Sequence, residues 1–342
     1  MLCEWLVFMD ITVAICTYNG EARLPAVLDR LAAQDIDSSL SWEVFVIDNN
    51  SCDHTAHVVQ CYQALPALGG RLKYVFEQKQ GLAYARRRAV QQAQSELIAF
   101  LDDDNLPTAG WLQSVYDFGQ QHPEAGAYGS KIIGKYEVSP PPDFSRIACF
   151  LAVIDRGSAP FRYDKLAQWL FPAGAGFVVR KRAWQSAVID NPALTGVSGG
   201  CLDNKGEDIE TFSYLRKRGW QIWHNPEMCI EHVINEDRLT KAYLIRLFRG
   251  VGLSRYHTRT IRFKAWQRLP AITAYALRDA LRLLAYKIRV GKNCLSVVEQ
   301  CELTLLRYSL ISPAYYFIQS VRKKLLNQKN YGHHSPSSTH IV

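Results

Sequence analysis

Two periods of hydrophobicity alternate along the first third of the chain. Short apolar runs fall at residues 11–17 (ITVAICT), 42–47 (WEVFVI), 73–77 (KYVFE) and 97–101 (LIAFL). Each is too short for a stable helix and rich in β-branched or aromatic residues, which predicts buried strands. Between them, apolar residues recur at helical spacing, as in Leu24, Val27, Leu28 and Leu31. Helices are predicted over 21–33, 53–65, 82–94 and 108–121, the last with Pro107 at its first turn. Four strand–helix units in succession predict a doubly wound, mostly parallel sheet with right-handed crossovers and helices on both faces. Ligands of such sheets bind outside the carboxyl ends of the strands. Thr17, Asp48 and the run Asp102, Asp103, Asp104 all stand at such ends.

Beyond residue 121 the alternation loosens. A strand is predicted over 127–134, and Pro140, Pro141 and Pro142 make 138–143 irregular. The small residues of 173–176 (AGAG) precede a short strand at 177–179 and allow either close approach to a ligand or close packing. A loop rich in Gly, Ser and Asn covers 193–204. It leads into a helix through Arg216, closed by Gly219, and then short strands at 220–223 and 229–233. From about residue 239 the pattern is helical, over 241–255 and 271–290. In the second of these, Arg278, Arg282 and Arg289 fall opposite an apolar set of Ile272, Tyr275, Leu284 and Ile288. The uncharged stretch 308–321 contains Pro313 and is too short for an ordinary membrane-spanning helix. Residues 331–342, rich in His and Ser, are expected to be disordered.

Charge divides the chain. From Arg238 onward there are 19 Lys and Arg against 3 Asp and Glu, whereas the residues before it carry 21 against 29. An acidic body and a basic extension predict two roles in one chain. The length, 342 residues, suits one large domain with an addition, and 48% hydrophobic residues supply a sizeable core. The basic helices read either as a subdomain with a solvated face or as a surface helix on an anionic membrane. No recognised nucleic-acid module accompanies them, so a nucleic-acid partner is not expected. Nine scattered cysteines without a C-x-x-C pair point to reduced thiols in a cytoplasmic protein. The opening MLCEWLVFM lacks a basic n-region, and Met9 is an alternative start. Neither G-x-G-x-x-G after the first strand nor G-x-x-x-x-G-K-[ST] occurs, which argues against a dinucleotide dehydrogenase and a P-loop NTPase.

Two places carry candidate chemistry. Three adjacent carboxylates at Asp102–Asp104 raise one another's pKa unless a cation sits among them. At an extended strand end Asp102 and Asp104 share a face and Asp103 takes the other. Such a pair suits a divalent ion that also holds phosphate oxygens, and the same residues would also suit an acidic turn opening the next helix. Asp208 stands at the mouth of the helix after GEDIE. It is either an acid favoured by the helix dipole or a general base at the edge of a site.

Together these stretches resemble the inverting glycosyltransferases of family 2, which have the GT-A fold. The likeness runs from about residue 11 to residue 234. It is carried in order by AICTYNG at 14–20, VIDNNSCDHT at 46–55, QGLAYARRRAV at 80–90, FLDDDN at 100–105, GEDIETFSYLRKRGW at 206–220 and PEMCIEH at 226–232. Among its branches the sequence is most similar to the bacterial hormogonium polysaccharide type. The resemblance implies that Thr17 and Asp48 hold the base and ribose of a nucleotide-sugar, most commonly UDP-linked. It implies that Asp102 lies near the ribose and sugar, and that Asp104 binds Mg²⁺ or Mn²⁺ on the diphosphate, with His232 beside it. Asp208 becomes the base that deprotonates an acceptor hydroxyl, and Glu207 supports it. RKRGW at 216–220 stands where processive members carry Q-x-x-R-W, which argues against long-chain synthesis. Asn49 and Asn50 stand where many relatives have a further acid.

The expected organisation is therefore a GT-A catalytic domain over 9–237, a helical basic extension over 238–330 and a tail over 331–342. The expected partners are a nucleotide-sugar, a glycan or lipid-linked acceptor and an anionic membrane surface, at the inner face of the plasma membrane. A sugar-nucleotide nucleotidyltransferase would need a Gly- and basic-rich loop after the first strand, and CTYNGEAR is not one. The alternative outside enzymes is an inactive nucleotide-sugar-binding or membrane scaffold protein.

Overall fold

The computed structural model describes residues 9–166, 170–199, 201–290 and 295–332. Its strands are β1 (Ile11–Thr17), β2 (Trp42–Asp48), β3 (Leu72–Phe76), β4 (Leu97–Asp102), β5 (Asn105–Pro107), β6 (Ala125–Tyr136), β7 (Phe161–Arg162), β8 (Phe177–Arg180) and β9 (Gln221–Ile234). Its helices are α1 (Leu24–Ala32), α2 (Thr55–Gln63), α3 (Leu82–Gln92), α4 (Trp111–Gln121), α5 (Tyr163–Leu166), α6 (Lys181–Ala187), α7 (Glu207–Lys217), α8 (Glu236–Leu239), α9 (Lys241–Thr260), α10 (Ala265–Val290) and α11 (Val297–Gly332).

One sheet runs in the order β3-β2-β1-β4-β8-β6-β9-β5, with β7 on β9. The first four strands pair in parallel, as the strand–helix alternation predicts. Register sets Thr17 beside Asp48 and Cys16 beside Asp102, so the polar ends of β1, β2 and β4 meet at one edge. Successive side chains of these strands point to opposite faces. Val13, Ile15, Val44 and Val46 pack under α1, α2 and α4. Ala14, Phe45, Ile47 and Phe100 pack under α3, α6 and α7. The second half of the sheet is mixed. β8 runs antiparallel to both β4 and β6, while β6 and β9 are parallel.

Several elements differ from the sequence reading. Pro107 ends β5, a short strand paired with β9, and α4 begins only at Trp111. The two strands read at 220–223 and 229–233 are one strand, β9, whose pairing with β6 shifts register between Asn225 and Cys229. Pro226 sits in that interval and has no N–H to give to the ladder. Pro270 and Pro313 lie inside α10 and α11. The tail expected over 331–342 begins as the end of α11, and residues 333–342 lie outside the described residues, as does the start at residues 1–8. On α10 the apolar residues divide between two faces. Ile272 and Tyr275 are half-buried against neighbours, whereas Leu284 and Ile288 join Trp266, Leu269, Leu277 and Leu281 on an exposed stripe. Helical spacing shows that a face is apolar but not which of two faces packs.

A third core cluster joins the C-terminal helices to the sheet. Leu244, Leu247 and Phe248 of α9 and Val298, Cys301 and Leu305 of α11 pack with Phe144, Leu151 and Ile234. Close approach makes this seam specific. A Cβ on Gly250 would lie 1.9 Å from the carbonyl oxygen of Leu202. Gly250→Ala is therefore expected to destabilise the protein by about 1–3 kcal/mol through overpacking. Thermal unfolding of the variant beside the wild type measures this, and an unchanged midpoint would show that the seam yields freely.

Candidate functional site

β4 ends at Asp102, and the chain then makes a two-residue turn into β5. The Asp102 N–H donates to Asn105 Oδ1 (3.1 Å), which holds the turn. Strand alternation therefore stops at Asp102, and each of the three carboxylates acquires its own partners. Asp103 receives both arms of Arg23, at 2.8 Å each, and the Thr17 hydroxyl. Burial pushes the Asp103 carboxyl up, and Arg23 opposes it. Asp104 receives Arg238 Nη1 at 2.6 Å and lies 3.3 Å from His232 Nε2. Burial also acts to raise Asp104, but His232 and Arg238 override it and hold the carboxyl well below the usual range. Asp102 lies 3.7 Å from Arg86, and burial pushes it up to about 6 against that cation.

Across the site, α7 opens at Gly206, whose φ of 106° is in the left-handed region that glycine tolerates. This entry sets Glu207 and Asp208 in the first turn. Asp208 Oδ1 accepts from the Ile209 N–H at 2.8 Å. Burial pushes its carboxyl up to about 6; Glu207 adds to the rise and Arg86 opposes it. Arg86 itself is 3% exposed. Its guanidinium reaches Glu207 Oε1 at 3.2 Å and the Gly174 carbonyl at 2.7 Å, besides Asp102. A Cβ on Gly174 would stand 3.0 Å from both Arg86 and Asp208, so the small residues of 173–176 are needed by the protein's own side chains.

A cleft of about 1800 Å³ connects these groups. Thr17, Asp102, Asp104, Asp208 and His232 all line it. Asp48 does not. Its oxygens are taken by the Ser51 N–H (2.8 Å) and the Tyr74 hydroxyl (2.7 Å), and its neighbour Asn49 faces the cleft instead. Asn49 anchors the 77–81 loop through the carbonyls of Glu77 and Lys79 and the N–H of Gly81. Arg23, Arg86, Asn49 and Arg238 are site residues that the sequence reading missed. An Arg in a run of three, such as Arg86, carries no local sign of which neighbour turns inward.

The Asp104–His232 pair fits a divalent ion. A positive guanidinium, that of Arg238, already sits between them, 3.0 Å from His232 Nε2. The buried Nδ1 of His232 has no hydrogen-bond partner. Among the described residues no three His, Cys, Asp or Glu side chains form a complete cage. An ion held by this pair would need its remaining ligands from outside these side chains.

Removing Arg86 would leave Asp102, Glu207 and Asp208 facing one another in a desolvated site. Arg86→Met is expected to lower stability by about 3–5 kcal/mol, the usual effect of unpairing buried charges. Urea denaturation reads this out, and a loss below 1 kcal/mol would mean that water reaches the three carboxylates.

Residues 12–184 match the family model described as glycosyl transferase family 2. The poly(ribitol-phosphate) β-N-acetylglucosaminyltransferase TarS of Staphylococcus aureus (strain Mu50 / ATCC 700699) is 29% identical over 114 residues, 33% of this chain and 19% of TarS. The UDP-Glc:α-D-GlcNAc-diphosphoundecaprenol β-1,3-glucosyltransferase WfgD of Escherichia coli is 25% identical over 160 residues, 43% of this chain and 60% of WfgD. The chain thus spans less than two thirds of the length of either relative. Among solved structures, the mannosyltransferase PcManGT from Pyrobaculum calidifontis, in complex with GDP-Man and Mn²⁺, aligns with a TM-score of 0.56 at 19% identity, over 90% of this chain and 86% of that one. The S. aureus TarS fragment 1–349 in complex with UDP-GlcNAc aligns at 0.51 and 16% identity, over 90% and 92%. At these identities the structures show the shared fold, GT-A. The family model covers the parallel half of the sheet and the turn that carries Asp102–Asp104, and the chain belongs to glycosyl transferase family 2.

Proposed function

We propose that this protein is a metal-dependent, inverting glycosyltransferase that moves a sugar from a UDP-sugar to a hydroxyl of a glycan or lipid-linked acceptor in the assembly of cell-surface polysaccharide. One observation carries this reading: a single cleft at the carboxyl ends of β1 and β4 is lined by Asp102, Asp104 and Asp208, with Arg86 bridging Asp102 to Glu207, the neighbour of Asp208. The names of TarS, bound to UDP-GlcNAc in its structure, and of WfgD support a UDP-linked donor.

Thr17 and Asp102 line the part of the cleft assigned to the nucleotide. Asp48 acts behind them by fixing the turn that presents Asn49. Asp104 and His232 would hold Mg²⁺ or Mn²⁺, with Arg238 moving aside. When bound, the ion stabilises as a Lewis acid the negative charge that grows on the leaving diphosphate. Asp208 Oδ2, left free of the Ile209 N–H, takes the proton of the acceptor hydroxyl, a poor nucleophile until it loses it. A carboxyl raised to about 6 is ionised at neutral pH yet more basic than an ordinary aspartate. Arg86 and Glu207 fix that balance. With Asp104 assigned to the ion and Asp102 to the nucleotide, Asp208 is the one carboxylate assigned to the chemistry; a single base gives single displacement, hence inversion at the anomeric carbon.

No described helix is long and apolar enough to cross a membrane. The exposed stripe of Trp266, Leu269, Leu277 and Leu281 on α10, flanked by arginines, supports a peripheral seat on an anionic bilayer at its cytoplasmic face.

Calorimetry with a panel of nucleotide-sugars tests the donor. One UDP-sugar is expected to bind only with Mn²⁺ or Mg²⁺, and Asp104→Asn to abolish that binding. No donor binding by the folded protein would shift the reading to a scaffold. Asp208→Asn is expected to keep donor binding and reduce transfer by about 10²–10⁴-fold. Transfer at the wild-type rate in that variant would remove Asp208 from its role. The rate in kcat/KM is expected to rise with pH and level off above about 6, as Asp208 loses its proton. A flat profile from pH 5 to 7 contradicts the assignment, and retention in the product's NMR spectrum would overturn inversion.

A further inference from the structure

The cleft does not end at Asp208. Thr258 of α9 packs on Gly206, and His257 lies 3.2 Å from Glu210, so α9 is seated against the opening turn of α7. Beyond this contact the wall of the cleft changes sign. Arg255 and Arg259 lie at i and i+4 on α9, Arg262 follows in the turn just past the end of that helix, and Arg278 and Arg282 lie at i and i+4 on α10. All five line the cleft. One carboxylate lies among them, Asp279, which is 1% exposed and bound by Arg259, with Arg278 at 3.8 Å. Arg255, Arg262 and Arg282 have no salt-bridge partner among the described residues; Arg255 donates to the Ser309 hydroxyl at 3.2 Å and Arg262 to the Tyr275 hydroxyl. The guanidinium carbons of Arg259 and Arg278 each lie 5.0 Å from the Tyr275 ring, which stiffens the array.

Four guanidinium charges beyond the one carboxylate repel one another in a partly desolvated recess. Burial, and then Arg259, Arg278 and Arg282, pull the ionisation of Arg255 down to about 10. A concave wall of one sign focuses its field on whatever enters. Guanidinium forks bind phosphate oxygens two at a time, and several in one recess match a group with several such oxygens. The apolar stripe of α10 adjoins this recess. Leu277 and Leu281 each precede one of its arginines by a single position and are 62% and 58% exposed. A cationic recess in the cleft that holds Asp208 therefore has an exposed apolar stripe beside it on the same helix.

We propose that the recess formed by Arg255, Arg259, Arg262, Arg278 and Arg282 binds the diphosphate of the acceptor, and that the acceptor's lipid leaves along Leu277, Leu281, Leu284 and Ile288. The inference rests on the glycosyltransferase reading, since it supplies the group that presents a hydroxyl to Asp208. The donor's own phosphates are assigned to the ion that Asp104 and His232 would hold, at the acidic end of the cleft.

The test uses the full chain saturated with UDP and Mn²⁺, so that the donor end is filled. Calorimetry then measures inorganic pyrophosphate and, in detergent micelles, a polyprenyl-diphosphate-linked sugar. The variant is Arg278→Ala/Arg282→Ala, two changes on the solvent side of α10. Loss of the charge-assisted bonds is expected to weaken both ligands by roughly 10- to 100-fold, while UDP affinity stays as in the wild type. Tighter binding of the lipid-linked molecule than of pyrophosphate, reduced by Leu277→Ser/Leu281→Ser, supports the lipid track. Equal affinity for the two ligands overturns the track. Unchanged binding of both ligands in the arginine variant overturns the recess. Failure of the wild type to bind UDP would instead overturn the donor reading beneath it.

Discussion

A single buried cation holds the site together. Arg86 stands between the end of the central strand, the first turn of α7 and the 173–176 segment, and it is bound to a group on each. Three carboxylates at that depth could not stay near one another without it. Burial favours the neutral forms of Asp102 and Asp208, and the Arg86 guanidinium opposes that preference without reversing it. Asp102 and Asp208 are left on the raised side of the ordinary range, while Glu207 is the one bonded directly. The proposed chemistry depends on this partition, because a fully paired Asp208 would have lost its basicity and an unpaired one would be neutral.

The second organising feature is the order of charge along the cleft. Carboxylates gather at the strand ends, and arginines gather where α9 and α10 close the far side. Between them lie the opening turn of α7 and its contact with Thr258 and His257. Arg238 carries the basic extension back into the acidic end, where it meets Asp104 and His232. The basic third of the chain is thus a wall of the cleft as well as a surface. The core cluster of α9, α11 and the 144–151 turns fixes that wall to the sheet, which explains how a segment of opposite charge comes to complete the same site.

The exposed stripe on α10 follows from the same arrangement. The helix reaches α9 through Tyr275 and Asp279 and α11 through Tyr286, and this leaves Trp266, Leu269, Leu277, Leu281, Leu284 and Ile288 toward solvent. An amphipathic helix with one polar and one apolar face would have been read correctly from its spacing. One with two apolar faces is ambiguous until its neighbours are in place.

The sequence by itself determined the parallel half of the sheet. Short apolar runs alternating with helical spacing leave few other ways to bury both patterns, and register then brings Thr17, Asp48 and Asp102 to one edge. The positions of Asp104, Asp208 and His232 in one cleft were legible too, through motif order and strand ends. The tertiary structure decided which groups meet. Arg86 and Glu207 are 121 positions apart, and Arg238 and Asp104 are 134 apart. No local periodicity encodes such pairs, because they form only when helices from separate units pack. For the same reason Asp48 turned out to be satisfied behind the site, and the mixed strands β5, β8 and β9 were only partly visible. Their partners lie far along the chain, so the pairing that defines them is a property of the assembled sheet.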